Sequence, residues 1–118
     1  MPTKPLRILG LDPGFGRLGF GIIERSGREW KLVTAGIIET SAKQTFVKRV
    51  LTLHTELTAL IAKYEPAGAA IEELFFAKNV TTGIKVAEAR GVLILTLAQA
   101  KIPFKELTPL QVKQALTG

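Results

Sequence analysis

Short apolar runs bounded by Gly and Pro fill the first third of the chain. Leu6–Leu11 is one such run, and it stops at Asp12, where the following Pro and Gly are expected to end a strand and turn the chain. Gly19–Glu24 and Trp30–Glu39 also have strand character. The polar segment Arg25–Arg28 between them contains a Gly suited to positive φ, so it predicts a hairpin. The first three strands are therefore expected to run antiparallel, with a carboxylate at the end of the first.

Helical periodicity begins near the middle of the chain. From Val47 to Tyr64 the apolar residues recur at helical spacing, until a Glu-Pro pair stops the pattern. Ala67–Glu72 is a short apolar strand that ends in a second carboxylate, and Val80–Ala100 is long, Ala-rich and helical in composition. Ile102–Leu107 can form a fifth strand. Thr108 followed by Pro is a good helix start, so the sequence predicts a third helix after it.

The predicted order of elements is βββαβαβα. A parallel pair of strands needs a crossover connection, and right-handed crossovers are strongly favoured, so the helix after the third strand allows the fourth strand to lie parallel to the first. The expected fold is α/β, with a mixed five-stranded sheet and helices on both faces. The chain has 118 residues, of which 47% are hydrophobic, and this predicts a single domain over residues 1–118.

Composition narrows the chemistry. There is no cysteine, which excludes disulfides, thiolate zinc sites and cysteine nucleophiles. Sixteen Lys and Arg against ten Asp and Glu give a net charge of +6, which favours polyanionic partners such as nucleic acid, but the basic residues are scattered as on an ordinary solvated surface. Neither a secretory signal nor an apolar run long enough to span a bilayer is evident, so a cytoplasmic protein without a membrane partner is expected.

Two carboxylates stand at predicted strand ends. If strands one and four are adjacent and parallel, Asp12 and Glu72 both lie at the carboxyl edge of the sheet, where α/β folds place ligand sites. Carboxylates held close together repel unless a cation or proton intervenes, and an oxygen-rich site suits Mg²⁺ or Mn²⁺. The alternative is that Asp12 only stabilises the turn after it, while Glu72 caps an element or faces solvent.

The turn after the first strand is rich in Gly. Residues Asp12–Gly21 connect two strands, and their backbone can approach a bulky partner such as a phosphate. A similar strand-turn-strand also occurs in the ATP-binding fold of sugar kinases and actin, so an ATP-binding lobe is a competing hypothesis. That fold needs a second phosphate-binding loop from a second lobe, for which this chain is too short.

Aromatic and basic residues follow the second carboxylate. Phe75, close to Lys78 and Asn79, is placed either to enter the core or to stack on unpaired bases. Lys85 and Arg90, in the second predicted helix, are candidates for phosphate contacts or are ordinary solvated cations. The full set of candidate DNA-binding residues is Arg17, Phe75, Lys78, Asn79, Lys85, Arg90 and Lys113.

Four segments together resemble the successive motifs of the RuvC crossover-junction endonucleases. These segments are ILGLDPG at 8–14, AIEELFFAKN at 70–79, EARGV at 88–92 and QVKQ at 111–114, in the family's order and over nearly the whole chain. The first motif is shared with other ribonuclease-H-like proteins, whereas the second and fourth are specific in combination. The resemblance implies a ribonuclease-H-like fold and a nuclease that resolves four-way Holliday junctions in DNA recombination and repair.

The resemblance also implies roles for individual residues. Asp12 and Glu72 match the family's first two metal-binding catalytic acids, and Phe75 matches an aromatic that wedges into the bases of the junction. Lys78 and Lys113 fall where the family has basic residues that contact DNA. Two Mg²⁺ or Mn²⁺ ions, a homodimer formed through the helix at about 79–100, and partner proteins that migrate the junction are likewise implied.

One part of the family's pattern is missing from this sequence. In the family a Gly-rich loop and a closing helix follow, and that helix supplies two more metal ligands, an Asp and an Asp or His. The sequence stops at Gly118, so a nuclease domain incomplete at its carboxyl end, without its last helix, is expected. The alternative function is accordingly a chain that binds junction DNA but is catalytically incomplete, weak or inactive when alone.

Overall fold

The described part of the protein comprises residues 5–14, 16–72 and 80–108 of a computed structural model. Within these residues, seven helices and strands follow one another in the predicted order. They are β1 (Arg7–Pro13), β2 (Arg17–Ser26), β3 (Glu29–Glu39), α1 (Phe46–Tyr64), β4 (Gly68–Glu72), α2 (Val80–Gln99) and β5 (Phe104–Leu107). The third helix, predicted to follow Thr108, lies outside the described residues.

A single five-stranded sheet organises the described elements, with the strand order β3-β2-β1-β4-β5. β1 and β2 pair antiparallel, as do β2 and β3, while β4 lies parallel to β1 and β5 parallel to β4. The mixed sheet, the antiparallel start and the adjacency of β1 to β4 predicted from sequence are confirmed. Helix α1 makes the crossover that a parallel pair requires.

The turn between β1 and β2 is tighter than the sequence indicated. The sequence prediction ended β1 at Leu11 and began β2 at Gly19, and both limits are wrong, since β1 continues to Pro13 and β2 begins at Arg17. Pro13 is buried and pairs with Leu18. Proline has no N–H to donate, but at the last position of a strand no further strand hydrogen bond is lost. Pro13 therefore does not force β1 to end at Leu11.

Both described helices pack on the same face of the sheet. The side chains that alternate inward along the strands, such as Leu9, Ile22 and Ile71, join one core with Leu57 of α1 and Leu93 of α2. Each of these five side chains is at most 1% exposed. The prediction of helices on both faces therefore depends, for the second face, on segments outside the described residues.

Local signals explain the limits of α1. Thr45 caps its start by accepting a hydrogen bond from the Lys48 N–H, the usual role of a threonine at this position. Glu65 ends it in the left-handed conformation at φ 50° and donates its N–H to the Ile61 carbonyl, directly before Pro66. Among the described residues, neither helix combines the length and hydropathy that crossing a bilayer would demand.

Candidate active site

Asp12 and Glu72 lie side by side at the carboxyl edge of the sheet. The pairing of β1 with β4 runs to Leu11 opposite Ile71, and each carboxylate occupies the next position on its strand. Because side chains alternate along a strand, both acids point away from the face that buries Leu11 and Ile71. Both side chains line the same open face of the sheet. The predicted convergence of the two acids is therefore confirmed.

The two carboxyl groups perturb each other electrostatically. The pKa of Glu72 is raised from its ordinary value by partial burial, by the negative charge of Asp12 and by the hydrogen bond between them. Two carboxylates held this close repel each other, which disfavours ionisation of Glu72. A divalent cation would relieve the same repulsion, and an all-oxygen donor pair suits a hard cation such as Mg²⁺. Among the described residues no third acid, histidine or cysteine completes a cluster with them.

Glu72→Gln is expected to raise the melting temperature of the metal-free chain at neutral pH. Because folding raises the pKa of Glu72, the folded chain binds the Glu72 proton more readily than the unfolded chain does. The stability of the folded chain therefore falls as the pH rises from the ordinary pKa of Glu72 through the raised one. Glutamine removes the charge, so its benefit should be largest at neutral pH and vanish below the ordinary pKa of 4.5. Thermal unfolding across this pH range, without metal, measures the effect.

Glu56→Gln is the matched control for this prediction, because Glu56 is exposed in the middle of α1, where glutamine is an equally good helix former. A gain of equal size in both variants, or a loss of stability in Glu72→Gln at neutral pH, would show that Asp12 and Glu72 do not repel each other in solution.

Glycine leaves space around Asp12. Gly19 pairs with Asp12 across β1 and β2, and a Cβ built on Gly19 would lie 3.5 Å from the Asp12 Cβ and 3.8 Å from its Oδ2. A methyl group fits at that distance, but a larger side chain would cover the carboxylate. On the other side of Asp12, the turn is closed by a 2.9 Å hydrogen bond from the Gly14 N–H to the Arg17 carbonyl.

The sheet face that carries the two acids is apolar and open. Ile8, Ile23 and Ile37 line a trough of about 800 Å³ that reaches Asp12 and Glu72. Two of its isoleucines are substantially exposed, Ile23 at 37% and Ile37 at 50%. Neither described helix covers this face, because α1 and α2 both pack on the opposite one.

The described candidate DNA-binding residues differ in their surroundings. Arg17 is exposed at the start of β2, on the turn after Asp12. Lys85 holds its ammonium 4.9 Å from the centre of the Phe46 ring, beside the same turn. Arg90 forms an ion pair with Glu106 of β5, with 2.6 Å between Nη2 and Oε1. The remaining candidates lie outside the described residues, and they are Phe75, Lys78, Asn79 and Lys113.

Two residues next to the site were not predicted from the sequence. Thr40, directly after β3, and Arg49, in the first turns of α1, both contact the turn that follows Asp12. In the sequence Arg49 is one basic residue among many, and Thr40 is one of several polar residues before a helix. Neither belongs to a local pattern, because their contacts join residues that are 9 to 24 positions apart.

The family model and the sequence relatives agree on one family. The family model described as crossover junction endodeoxyribonuclease RuvC matches residues 8–118. A protein of that name from Roseiflexus sp. is 54% identical over 112 residues, which are 95% of this chain and 67% of the relative. Its counterpart from Petrotoga mobilis is 48% identical over 111 residues, covering 94% of this chain and 68% of the relative.

Solved structures show the same relationship. Thermus thermophilus RuvC in complex with a Holliday junction substrate superposes with a TM-score of 0.84 at 28% identity, covering 94% of this chain and 69% of that one. The yeast mitochondrial Holliday junction resolvase has a TM-score of 0.71 at 17% identity and shows the shared fold, over 96% of this chain and 55% of that one. Of the two enzyme classes that the turn at Asp12–Gly21 left open, these matches favour the nuclease.

Proposed function

Because the chain belongs to the RuvC family of crossover junction endodeoxyribonucleases, we propose that it resolves four-way DNA junctions in recombination and repair. The observation that carries the proposal is the position of Asp12 and Glu72, side by side on one face at the adjoining ends of two parallel strands. The family is one of metal-dependent nucleases. Its reaction is hydrolysis of a phosphodiester bond, for which carboxylates that hold cations are needed and a side-chain nucleophile is not.

Asp12 and Glu72 are the residues that would hold the metal, which we propose to be two Mg²⁺ or Mn²⁺ ions. Bound divalent ions supply an activated water for in-line attack and stabilise the leaving 3′ oxygen. The contribution of this chain is to present both carboxylates on one face with little side-chain bulk beside them, since Gly19 is the cross-strand neighbour of Asp12. Only the ionised form of Glu72 binds a cation, so the affinity for metal should fall as the pH is lowered.

Basic residues around the same edge are proposed to hold the DNA backbone. Arg17 and Lys85 both lie near the turn after Asp12, so they can reach phosphates next to the scissile one. Arg90 is a weaker candidate, since its contact with Glu106 would have to be exchanged for one with DNA. The proposals for Phe75, Lys78, Asn79 and Lys113 rest on the resemblance alone, with Phe75 testing whether junction bases unstack.

We further propose a homodimer through α2, in which two sites cut symmetry-related strands. Ile84 and Leu95 are 55% and 53% exposed on α2, and a Cβ added to Gly91 between them would meet nothing within 4 Å. Positions 84, 91 and 95 recur at helical spacing, so they form an exposed apolar stripe on which a second helix can pack closely. We also propose that residues 1–118 form one domain and that the protein is cytoplasmic. It is further proposed to cooperate with branch-migration proteins.

Junction binding in the presence of a chelator tests recognition apart from cleavage. The chain is expected to bind a four-way junction more tightly than a linear duplex of the same arm sequences, with an affinity that falls as salt increases. Lys85→Gln should weaken junction binding severalfold and lower the magnitude of the salt slope by about 1. The matched control is Lys101→Gln, because Lys101 is exposed beyond the far end of α2. Equal affinity for junction and duplex would contradict the proposed function.

A further inference from the structure

Three residues link the turn after Asp12 to helix α1. The backbone N–H and the hydroxyl of Thr40 both donate to the Gly16 carbonyl, at 3.0 and 3.2 Å. Arg49 in turn donates from Nε to the Thr40 hydroxyl oxygen at 3.0 Å. One hydroxyl therefore accepts from the helix and donates to the turn. We call Gly16, Thr40 and Arg49 the turn clamp.

Close packing reinforces these hydrogen bonds. The guanidinium of Arg49 lies against Gly16, so closely that a Cβ at this position would overlap Nη2. Gly16 also has a φ of +82°, which disfavours any residue with a side chain. The clamp thus holds the turn from the helix side of the sheet, whereas the carboxylate of Asp12 lies on the open side.

We propose that Arg49 is a positioning residue for Asp12, acting through Thr40 and Gly16. Only a few residues separate Asp12 from Gly16, and the hydrogen bond from Gly14 to Arg17 makes the intervening turn short and closed. Fixing Gly16 therefore fixes the direction in which β1 ends. Arg49 reaches the turn from the helix side of the sheet, whereas the Asp12 carboxylate lies on the open face, so Arg49 acts on Asp12 through the turn. This inference rests on the proposed function, since the metal is what Asp12 is oriented to bind.

The guanidinium is required for its shape in this role. Nε donates to Thr40 while the planar group packs on Gly16, and a lysine ammonium cannot do both. A residue that only supplied positive charge to DNA phosphates would tolerate lysine. Arg49→Lys therefore separates positioning from phosphate binding.

Asp12 is the only aspartate in the chain, so ¹⁵N labelling of aspartate gives one amide signal that reports this position. Thr40→Val and Arg49→Lys are each expected to shift that signal. They should also raise about tenfold the Mn²⁺ concentration that half-broadens it, at a temperature well below unfolding. Thr52→Val is the control, because it removes a threonine hydroxyl that donates to the Lys48 carbonyl within α1.

An unchanged signal and Mn²⁺ midpoint in folded Thr40→Val would overturn the clamp, as would Arg49→Lys behaving like the original chain. The proposed metal site fails separately, if Mn²⁺ broadens the signal of the original chain no more than that of a Glu72→Gln variant. In that case the position of the signal in Thr40→Val still decides whether the clamp holds Asp12.

Discussion

Asp12→Asn is expected to lower the rate of junction cleavage at least about a hundredfold, the scale on which loss of an essential metal ligand acts. Asparagine has nearly the shape of aspartate but carries no charge, so it keeps the fold while weakening the hold on a cation. Glu72→Gln should have a similar effect for the same reason. The assay uses a chimera in which residues 1–118 continue into the remaining segment of the Roseiflexus relative, which is 54% identical over the shared part.

Binding and cleavage are measured separately on the same variants. Both amide variants should bind the junction in chelator about as well as the unmodified chimera, because each removes negative charge near DNA. Glu56 lies on α1, away from the ends of β1 and β4, so the Glu56→Gln variant should cleave at the rate of the unmodified chimera. Cleavage at the unmodified rate by both Asp12→Asn and Glu72→Gln would remove the basis for assigning the reaction to this pair.

Residues 1–118 alone are expected to bind four-way junctions and to cleave them at least about a hundredfold more slowly than the chimera. Two carboxylates hold a divalent cation weakly, and the described residues bring no third acid to them. The resemblance implies that two more ligands follow in the family. We also expect the added segment of the chimera to pack on the open face lined by Ile8, Ile23 and Ile37, since neither described helix covers it.

Side-by-side assays with Mg²⁺ and with Mn²⁺ measure this difference at matched DNA occupancy. The chimera should also unfold at a higher temperature than residues 1–118, because burial of the exposed isoleucines adds apolar contact. A preparation of residues 1–118 that resolved junctions at the rate of the chimera would show that Asp12 and Glu72 suffice, and the need for further ligands would be refuted.

Local sequence patterns determined the elements and their order. Apolar runs bounded by Gly and Pro predicted five strands, and helical spacing that stops at Glu65-Pro66 predicted α1, because these signals act between residues close in the chain. The strand ends were the weakest point, since Pro13 is compatible with the last position of β1 as well as with a loop. Asp12 and Glu72 were recognisable early because each follows an apolar run directly.

Only the tertiary structure decided what these residues meet. Arg90 was a plausible phosphate ligand by type, but folding places it against Glu106, and the clamp of Thr40 and Arg49 on Gly16 has no local signature at all. The pairing of Asp12 with Glu72 depends on the register of β1 against β4. Side chains alternate with a period of two, so a slip of one residue would turn Glu72 toward the helices and leave Asp12 alone on the open face. The local pattern of either strand does not fix that register by itself, because it is set when Leu9, Leu11 and Ile71 are buried together against α1 and α2.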